Sequence, residues 1–180
     1  YDVLQVLRRP HALIPSNVDN RFRPSLADHP RRDRMLLVKS NPCNPTGVAT
    51  TGEDLRALVA AYSTPDRGAL IDEAYEFFGD PEPESALRYV DDIDATNLFV
   101  VGAATKGLQV PGMRVGWVVA SKRHIEVFRN YSSFGMGGVS RASQLYVTQL
   151  LQRDRVAQAR KAIATFYTAQ RQRYGEALRQ

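Results

Sequence analysis

Cysteine is nearly absent from this sequence, and none of its apolar runs is long. The one cysteine among 180 residues, Cys43, can form neither an internal disulfide nor a metal cluster by itself, which excludes a disulfide-stabilised secreted scaffold. We therefore expect a reducing, cytoplasmic location and no metal site. No apolar stretch approaches the length that crosses a bilayer, so we expect no membrane partner. The remaining composition, 43% hydrophobic and 24% charged, is typical of a folded domain and excludes disorder.

Lysine is also scarce, although the chain carries a net charge of +5. Residues 41–120 have a net charge of −7, and the positive excess lies in the flanking segments. Basic flanks of this kind more often form solvated helix faces or subunit contacts than a nucleic-acid-binding surface, so we expect no nucleic-acid partner.

Only four of the 24 basic residues are lysines: Lys39, Lys106, Lys122 and Lys161. Arginine stays protonated, so these four are the side chains that could supply an amine nucleophile.

Short apolar runs alternate with amphipathic segments along the chain, a pattern typical of βαβ units around a mainly parallel sheet. The apolar runs predict strands at 12–14, 35–38, 68–71, 98–101 and 115–120. The continuous run at 35–38 is typical of a strand that is buried on both faces. Helical periodicity predicts three helical segments. The first follows an N-cap at Thr51, the second covers 121–130, and the third starts at 140 and is interrupted at 153–155.

Three of the predicted strands end in loops that carry polar side chains. Parallel strands place their ligands beyond their carboxyl ends, so these loops are expected to converge on one site. The loops are residues 41–47, 72–75 and 103–106.

Lys106 is the lysine best placed for chemistry, because it directly follows a buried strand and precedes Gly107. Its stem would begin at a packed wall, and its amine would point into the crevice beyond the sheet. Burial beside other cations lowers the pKa of a lysine, and the neutral amine can attack a carbonyl carbon to form a Schiff base. Taken alone, a surface lysine in a loop is the commoner case.

Two other charged residues occupy comparable positions. Asp72 ends an apolar strand, where a carboxylate costs free energy unless it has a partner. A protonated heteroaromatic nitrogen would be such a partner, and so would a helix N-terminus, Arg67 or Arg114. Arg114 stands between Gly112 and Gly116, where its guanidinium could bind a phosphate through two hydrogen bonds. On spacing alone, Arg114 could equally pair with an acidic loop.

Four segments, in the same order and close to the same spacing, resemble the fold-type I pyridoxal-phosphate enzymes, in particular the class I/II aminotransferases. They are Asn-Pro-Thr-Gly at 44–47, Asp-Glu-Ala-Tyr at 72–75, Thr-Lys at 105–106 and Gly-Met-Arg-Val-Gly at 112–116. The resemblance covers most of residues 35–120. It implies an α/β fold: a three-layer, aminotransferase-like large domain with a mainly parallel sheet and one antiparallel strand near 115–120.

The resemblance also implies pyridoxal 5'-phosphate as cofactor and a role for each matched residue. Lys106 would form the Schiff base with the cofactor and then move the substrate Cα proton. Asp72 would pair with the pyridine nitrogen and keep it protonated, so that the ring acts as an electron sink. Asn44 and Tyr75 would hydrogen-bond the ring 3-oxygen, and Arg114 would bind the cofactor phosphate.

The resemblance further predicts the organisation of the chain. Residues 1–150 would form the central part of the cofactor-binding large domain, and residues 151–180 a helix leading toward a small domain beyond Gln180. Active sites of this family lie at a homodimer interface, so a homodimer is expected. One departure concerns Ala103, which stands where the family usually has a serine that contacts the phosphate, so one phosphate hydrogen bond is missing.

Aminotransfer between an amino acid and a 2-oxo acid is the activity that the resemblance favours. The same cofactor-holding residues serve related C–S lyases, cyclopropane-forming synthases, and amino-acid oxidases or hydroxylases, and the matched motifs do not separate these outcomes. A non-enzymatic alternative is the aminotransferase-like effector domain of a transcriptional regulator, which would suit a basic chain.

Overall fold

A computed structural model describes residues 2–30, 32–79 and 83–179. The chain divides into two compact units, Tyr1–Arg31 and Arg32–Gln180. The first unit contains helix α1 (Asp2–Val6) and a single 3-10 turn at Leu26–Asp28. The strand predicted at 12–14 is wrong, because these residues have no partner strand in the described part of the unit and Leu13 is 71% exposed.

The second unit is built on a four-stranded sheet in the order β1-β2-β3-β4. Its strands are β1 (Met35–Ser40), β2 (Arg67–Asp72), β3 (Leu98–Ala103) and β4 (Gly116–Val119). β1, β2 and β3 are parallel, whereas β4 runs antiparallel to β3. The mainly parallel sheet and its antiparallel strand near 115–120 are thereby confirmed.

Helices of the second unit follow the strands and continue to the end of the chain. They are α2 (Gly52–Tyr62), α3 (Ala104–Gly107), α4 (Lys122–Gly135), α5 (Arg141–Leu150) and α6 (Arg153–Ala177). The charged segment 153–155 starts α6 rather than interrupting a helix, because Asp154 in the first turn favours a helix N-terminus. None of the described helices is long and apolar enough to cross a membrane. The domain division predicted at residue 150 falls at the end of α5 and stays a prediction.

The core of this unit lies between α2 and the sheet. α2 buries one helical face, made of Leu55, Leu58, Val59 and Tyr62, and packs against β2. Thr51 is the N-cap residue of α2, as predicted, but its side chain makes no capping hydrogen bond. The Glu84 carboxylate accepts the hydrogen bond of the first helical N–H, that of Gly52, at 2.7 Å.

β1 is buried less completely than its apolar sequence predicts. Leu37 is buried, but Leu36 and Val38 on the other face are 49% and 60% exposed. The prediction of burial on both faces is wrong, since no other described element covers that face of the edge strand.

β3 and β4 approach each other closely where glycine removes a side chain. Gly102 pairs in register with Trp117, and the Trp117 indole occupies the space that a Cβ atom at residue 102 would need. A Cβ on Gly116 would lie only 2.9 Å from the Gly102 carbonyl oxygen. Glycine at both positions therefore lets β4 lie against the strand that leads into Lys106.

Candidate active site

The register of the sheet brings the candidate residues to one edge. Ser40, the last residue of β1, is paired with Asp72, the last residue of β2, and Asp72 is paired with Val101 of β3. The loops that follow these three strands therefore start at the same carboxyl-end edge, as the sequence predicts for a ligand site.

The Asn-Pro loop after β1 is held by a buried asparagine. Asn41 is 1% exposed; its Nδ2 donates to the Thr50 carbonyl at 3.0 Å, and its Oδ1 accepts from the Thr50 N–H at 2.7 Å. Across the turn, the N–H of Gly47, whose φ is +70°, donates to the Cys43 carbonyl at 2.7 Å. These bonds fix the base of the loop and leave Asn44 exposed at its tip.

Asn44 and Tyr75 meet although they come from different loops. Asn44 Nδ2 donates to the Tyr75 hydroxyl across 3.4 Å. The Lys106 Nζ atom lies 5.4 Å from the centroid of the same Tyr75 ring, a cation–π contact. Tyr75 therefore connects the loop after β1 with the helix after β3.

Lys106 stands in α3, the single helical turn that begins at the end of β3. Ala104 and Gly107 of this turn are buried, whereas the Lys106 side chain is exposed rather than buried as expected. A Cβ on Gly107 would lie 2.7 Å from Phe77 Cγ, so the Phe77 ring packs directly on the backbone that follows the lysine.

Asp72 is half-buried, and its Oδ1 accepts a hydrogen bond from the Ala74 N–H at 3.0 Å. This bond closes a tight turn after β2. Asp72 caps none of the described helices, and it forms no ion pair with Arg67 or Arg114. Arg67 instead pairs with Asp33 at 3.2 Å. Arg114 donates from Nη1 to the Pro111 carbonyl at 3.1 Å.

Arg114 follows a 3-10 turn, Pro111–Met113, that packs against α3. Its backbone is left-handed (φ +53°) and its side chain is exposed. A Cβ on Gly112 would meet no atom within 4 Å, so the backbone beside Arg114 is open on that side. The structure thus places Arg114 next to the element that carries Lys106, but with no direct contact to the other four predicted site residues.

Three residues that the sequence did not single out support this edge of the sheet. Glu73 is 4% exposed, accepts a hydrogen bond from the Ala86 N–H at 2.8 Å, and has its pKa raised by burial. Phe77 is buried against Gly107, and Arg160 of α6 pairs with Glu76 at 3.0 Å. A carboxylate directly after a buried strand was a usable signal for Glu73. No sequence signal connects Arg160 with a segment 84 residues away.

Comparison with known proteins decides the family. The model of the family "Aminotransferase class I and II" matches residues 20–180. The chain belongs to this family. Family membership confirms the resemblance to fold-type I pyridoxal-phosphate proteins.

This chain matches only part of the length of each similar protein. Histidinol-phosphate aminotransferase 2 of Rhizobium meliloti is 34% identical over 136 residues, which is 75% of this chain and 36% of that protein. 1-Aminocyclopropane-1-carboxylate synthase 6 of Arabidopsis thaliana is 32% identical over 123 residues, 64% of this chain and 24% of that protein. The chain thus spans about a third or less of these relatives.

A solved structure has the same fold. The aromatic aminotransferase from Pyrococcus horikoshii superimposes with a TM-score of 0.75 at 23% identity, over 88% of this chain and 43% of that one. This similarity confirms the α/β large-domain architecture of the aminotransferase family.

The donor set at this edge fits the cofactor of the family. An amine, a phenol hydroxyl and an amide come together at Lys106, Tyr75 and Asn44, with the Asp72 carboxylate at the end of the adjoining strand. The Arg114 side chain is exposed, and its guanidinium is a group that can bind an anion through two hydrogen bonds. Among the described residues, no group of three or more His, Cys, Asp or Glu side chains is arranged to hold a metal ion.

Proposed function

We propose that this chain carries the cofactor-binding part of a pyridoxal-phosphate-dependent aminotransferase, which moves an amino group between an amino acid and a 2-oxo acid. The observation that carries the proposal is that Lys106 and Asn44 both contact Tyr75, although the three residues follow three different strands at the carboxyl edge of the sheet. Membership in the class I and II aminotransferase family supports it.

Each site residue then has an assigned role. The Lys106 amine would hold the cofactor and would take up the proton that leaves the substrate Cα atom. The Asp72 carboxylate would hold a proton on the ring nitrogen. Asn44 and Tyr75 would hydrogen-bond the ring 3-oxygen, and the Arg114 guanidinium would bind the phosphate. Bound pyridoxal phosphate supplies an aldehyde and an electron-withdrawing ring.

Reductive labelling of the full-length protein tests the cofactor assignment. The purified protein should show visible cofactor absorbance, and borohydride reduction followed by peptide mapping should find the label on Lys106. Lys106→Arg should abolish the label, whereas Lys161→Arg, a change at an exposed lysine of α6, should leave it in place. The absence of a chromophore, or a label on another lysine, would contradict the assignment.

The outcome of the reaction needs a separate measurement. Amino donors, including histidinol phosphate because of the Rhizobium relative, are incubated with 2-oxo acids. Aminotransfer predicts one amino product for each donor consumed and, without an acceptor, no more than one equivalent of donor converted per active site. Release of ammonia without an acceptor would instead favour a lyase or oxidase.

A different pyridoxal-phosphate-dependent reaction is the second candidate function. It is favoured by the similarity to a 1-aminocyclopropane-1-carboxylate synthase, whose name describes a product that aminotransfer does not form. A homodimer and a cytoplasmic location belong to the first proposal as its expected assembly and compartment.

A further inference from the structure

Two side chains of α6 contact the segment that follows Tyr75. Arg160 Nη2 lies 3.0 Å from Glu76 Oε2, and Arg160 Cζ lies 4.6 Å from the centroid of the Phe77 ring. The rings of Tyr167 and Phe78 meet edge to face with their centroids 5.0 Å apart. α6 therefore holds three consecutive residues beside the candidate site.

These contacts come from a single face of α6. Residues 160, 163 and 167 are spaced by three and four positions, so their side chains lie above one another on the helix. Ile163, between the two contacting residues, is 5% exposed. α3, which carries Lys106, also packs against α6.

The Arg160 pair is not an ordinary surface ion pair. The side chains of Arg160 and Glu76 are 25% and 27% exposed, so water screens them less than it screens an exposed pair. Arginine can satisfy both contacts at once, because its planar guanidinium offers several donors to a carboxylate and a flat face to an aromatic ring.

Phe77 links Arg160 to the backbone beside Lys106. A Cβ on Gly107 would lie 2.7, 2.8 and 3.0 Å from Phe77 Cγ, Cδ1 and Cδ2, so the ring rests on the Gly107 backbone. Gly107 follows Lys106 directly, and Phe77 follows Tyr75 by two residues. A shift of the Phe77 ring would therefore move both partners of the Lys106–Tyr75 contact.

We infer that Arg160 is a positioning residue for Lys106, acting through Glu76 and Phe77 to hold the lysine against Tyr75. For its effect on catalysis the inference rests on the proposed function. Its structural content, that Arg160 sets the environment of the Lys106 amine, does not require a cofactor.

Competitive labelling of lysines with trace acetic anhydride tests the inference in the cofactor-free full-length protein. Arg160→Met should raise the labelling rate of Lys106 about threefold, the size expected for loss of an exposed cation–π contact. Lys122 is the internal reference, because it pairs with Asp94 and neither residue belongs to α6. Lys161→Met removes a neighbouring exposed cation of the same helix and should leave the Lys106 rate unchanged.

A conservative variant keeps the test valid if Arg160→Met does not fold. Glu76→Gln preserves the size of the side chain but removes the charge that holds Arg160, and it should change the Lys106 rate in the same direction. Lys106 rates equal to wild type in the folded variants would overturn the inference.

The loaded protein provides a readout that a loss of stability alone would not move. Arg160→Met should shift the pH midpoint of the bound cofactor's absorbance change, normalised to bound cofactor, whereas Lys161→Met should not. An unchanged midpoint would overturn the catalytic part of the inference. If Arg160→Met alters Lys106 labelling but wild-type protein binds no cofactor, only the proposed function fails. If the cofactor labels Lys106 but the variants change nothing, only the role of Arg160 fails.

Discussion

Asn44 donates a hydrogen bond to the Tyr75 hydroxyl across 3.4 Å, although 31 residues separate the two in the chain. The contact exists because β1 and β2 are parallel neighbours that end at the same level. It gives two polar groups one common orientation, which lowers the cost of ordering them when a ligand binds.

This pair predicts an energetic coupling in cofactor binding. Tyr75→Phe and Asn44→Ala should each weaken cofactor affinity by about tenfold or less, because a net hydrogen bond contributes ~1 kcal/mol. The double variant should lose less than the sum of the two, because either single change already removes the Asn44–Tyr75 contact. Equilibrium titration of the full-length protein with the cofactor measures all three.

The matched control for this pair is Tyr89→Phe. It removes a hydroxyl that donates at 2.6 Å to Glu84 Oε2, the oxygen that also accepts from the first N–H of α2. Cofactor affinity should be unchanged. Strictly additive effects of the two site variants would argue against a shared function.

Asp72→Asn should separate attachment of the cofactor from turnover. Asparagine can still accept the Ala74 hydrogen bond, so the turn after β2 should persist and borohydride should still label Lys106. Loss of the negative charge should lower kcat by about 10- to 100-fold, the range that corresponds to ~1.5–3 kcal/mol for a hydrogen bond to a charged group. Asp91→Asn, at an exposed position, is the control, and equal kcat values for the two variants would refute the role of Asp72.

Gly107→Ala should destabilise the protein. The added Cβ would stand 2.7 Å from Phe77 Cγ, closer than packed atoms approach, so the buried ring or the α3 backbone must move. Overpacking of this kind costs ~1–3 kcal/mol in the free energy of unfolding, which denaturant titration measures. Gly112→Ala adds the same atom where nothing lies within 4 Å, and it should change stability little. Equal losses in the two variants would contradict the packing described for Phe77.

Glu73→Gln should alter the pH dependence of stability. Burial raises the pKa of Glu73, so the folded protein holds this proton to a higher pH than the unfolded chain does. The contribution of Glu73 to stability is therefore present at low pH and lost as pH rises through its raised pKa. The difference in unfolding free energy, variant minus wild type, should increase as the pH rises above the ordinary titration range of a glutamate side chain.

Glu84→Gln provides a control of opposite sign. The hydrogen bond from Tyr89 and that from the Gly52 N–H hold the pKa of Glu84 below its usual range, so its contribution is lost as pH falls. The variant-minus-wild-type difference should then decrease as pH rises. Two slopes of the same sign would refute the environment assigned to Glu73.

Local sequence patterns predicted most of the sheet, because each buried strand carries its own apolar run. The run at 98–101 lies within β3, and the run at 68–71 lies within β2. The predicted strand at 12–14 failed because an apolar triplet needs a partner strand, and pairing is not a local property. Leu36 is exposed for a related reason, since burial of the second face of β1 depends on what covers it.

The candidate site was predictable to the extent that its residues follow strand ends. Asp72 ends β2, and Lys106 and Asn44 lie shortly after the ends of β3 and β1; parallel topology alone brings such positions together. Arg160 could not be predicted, because its contact with Glu76 depends on how α6 packs against the rest of the unit. Arg114 has the residue type that a phosphate needs, but its placement depends on a left-handed backbone position in a turn.

Trp117 is the only tryptophan in these 180 residues, and its indole lies against the backbone of Gly102. Gly102 precedes Lys106 by four residues, on the strand that delivers the lysine to the edge of the sheet. Indole fluorescence of these 180 residues therefore arises from one side chain, which is in contact with β3. A change in its emission on adding a ligand would report on that strand without any engineered label.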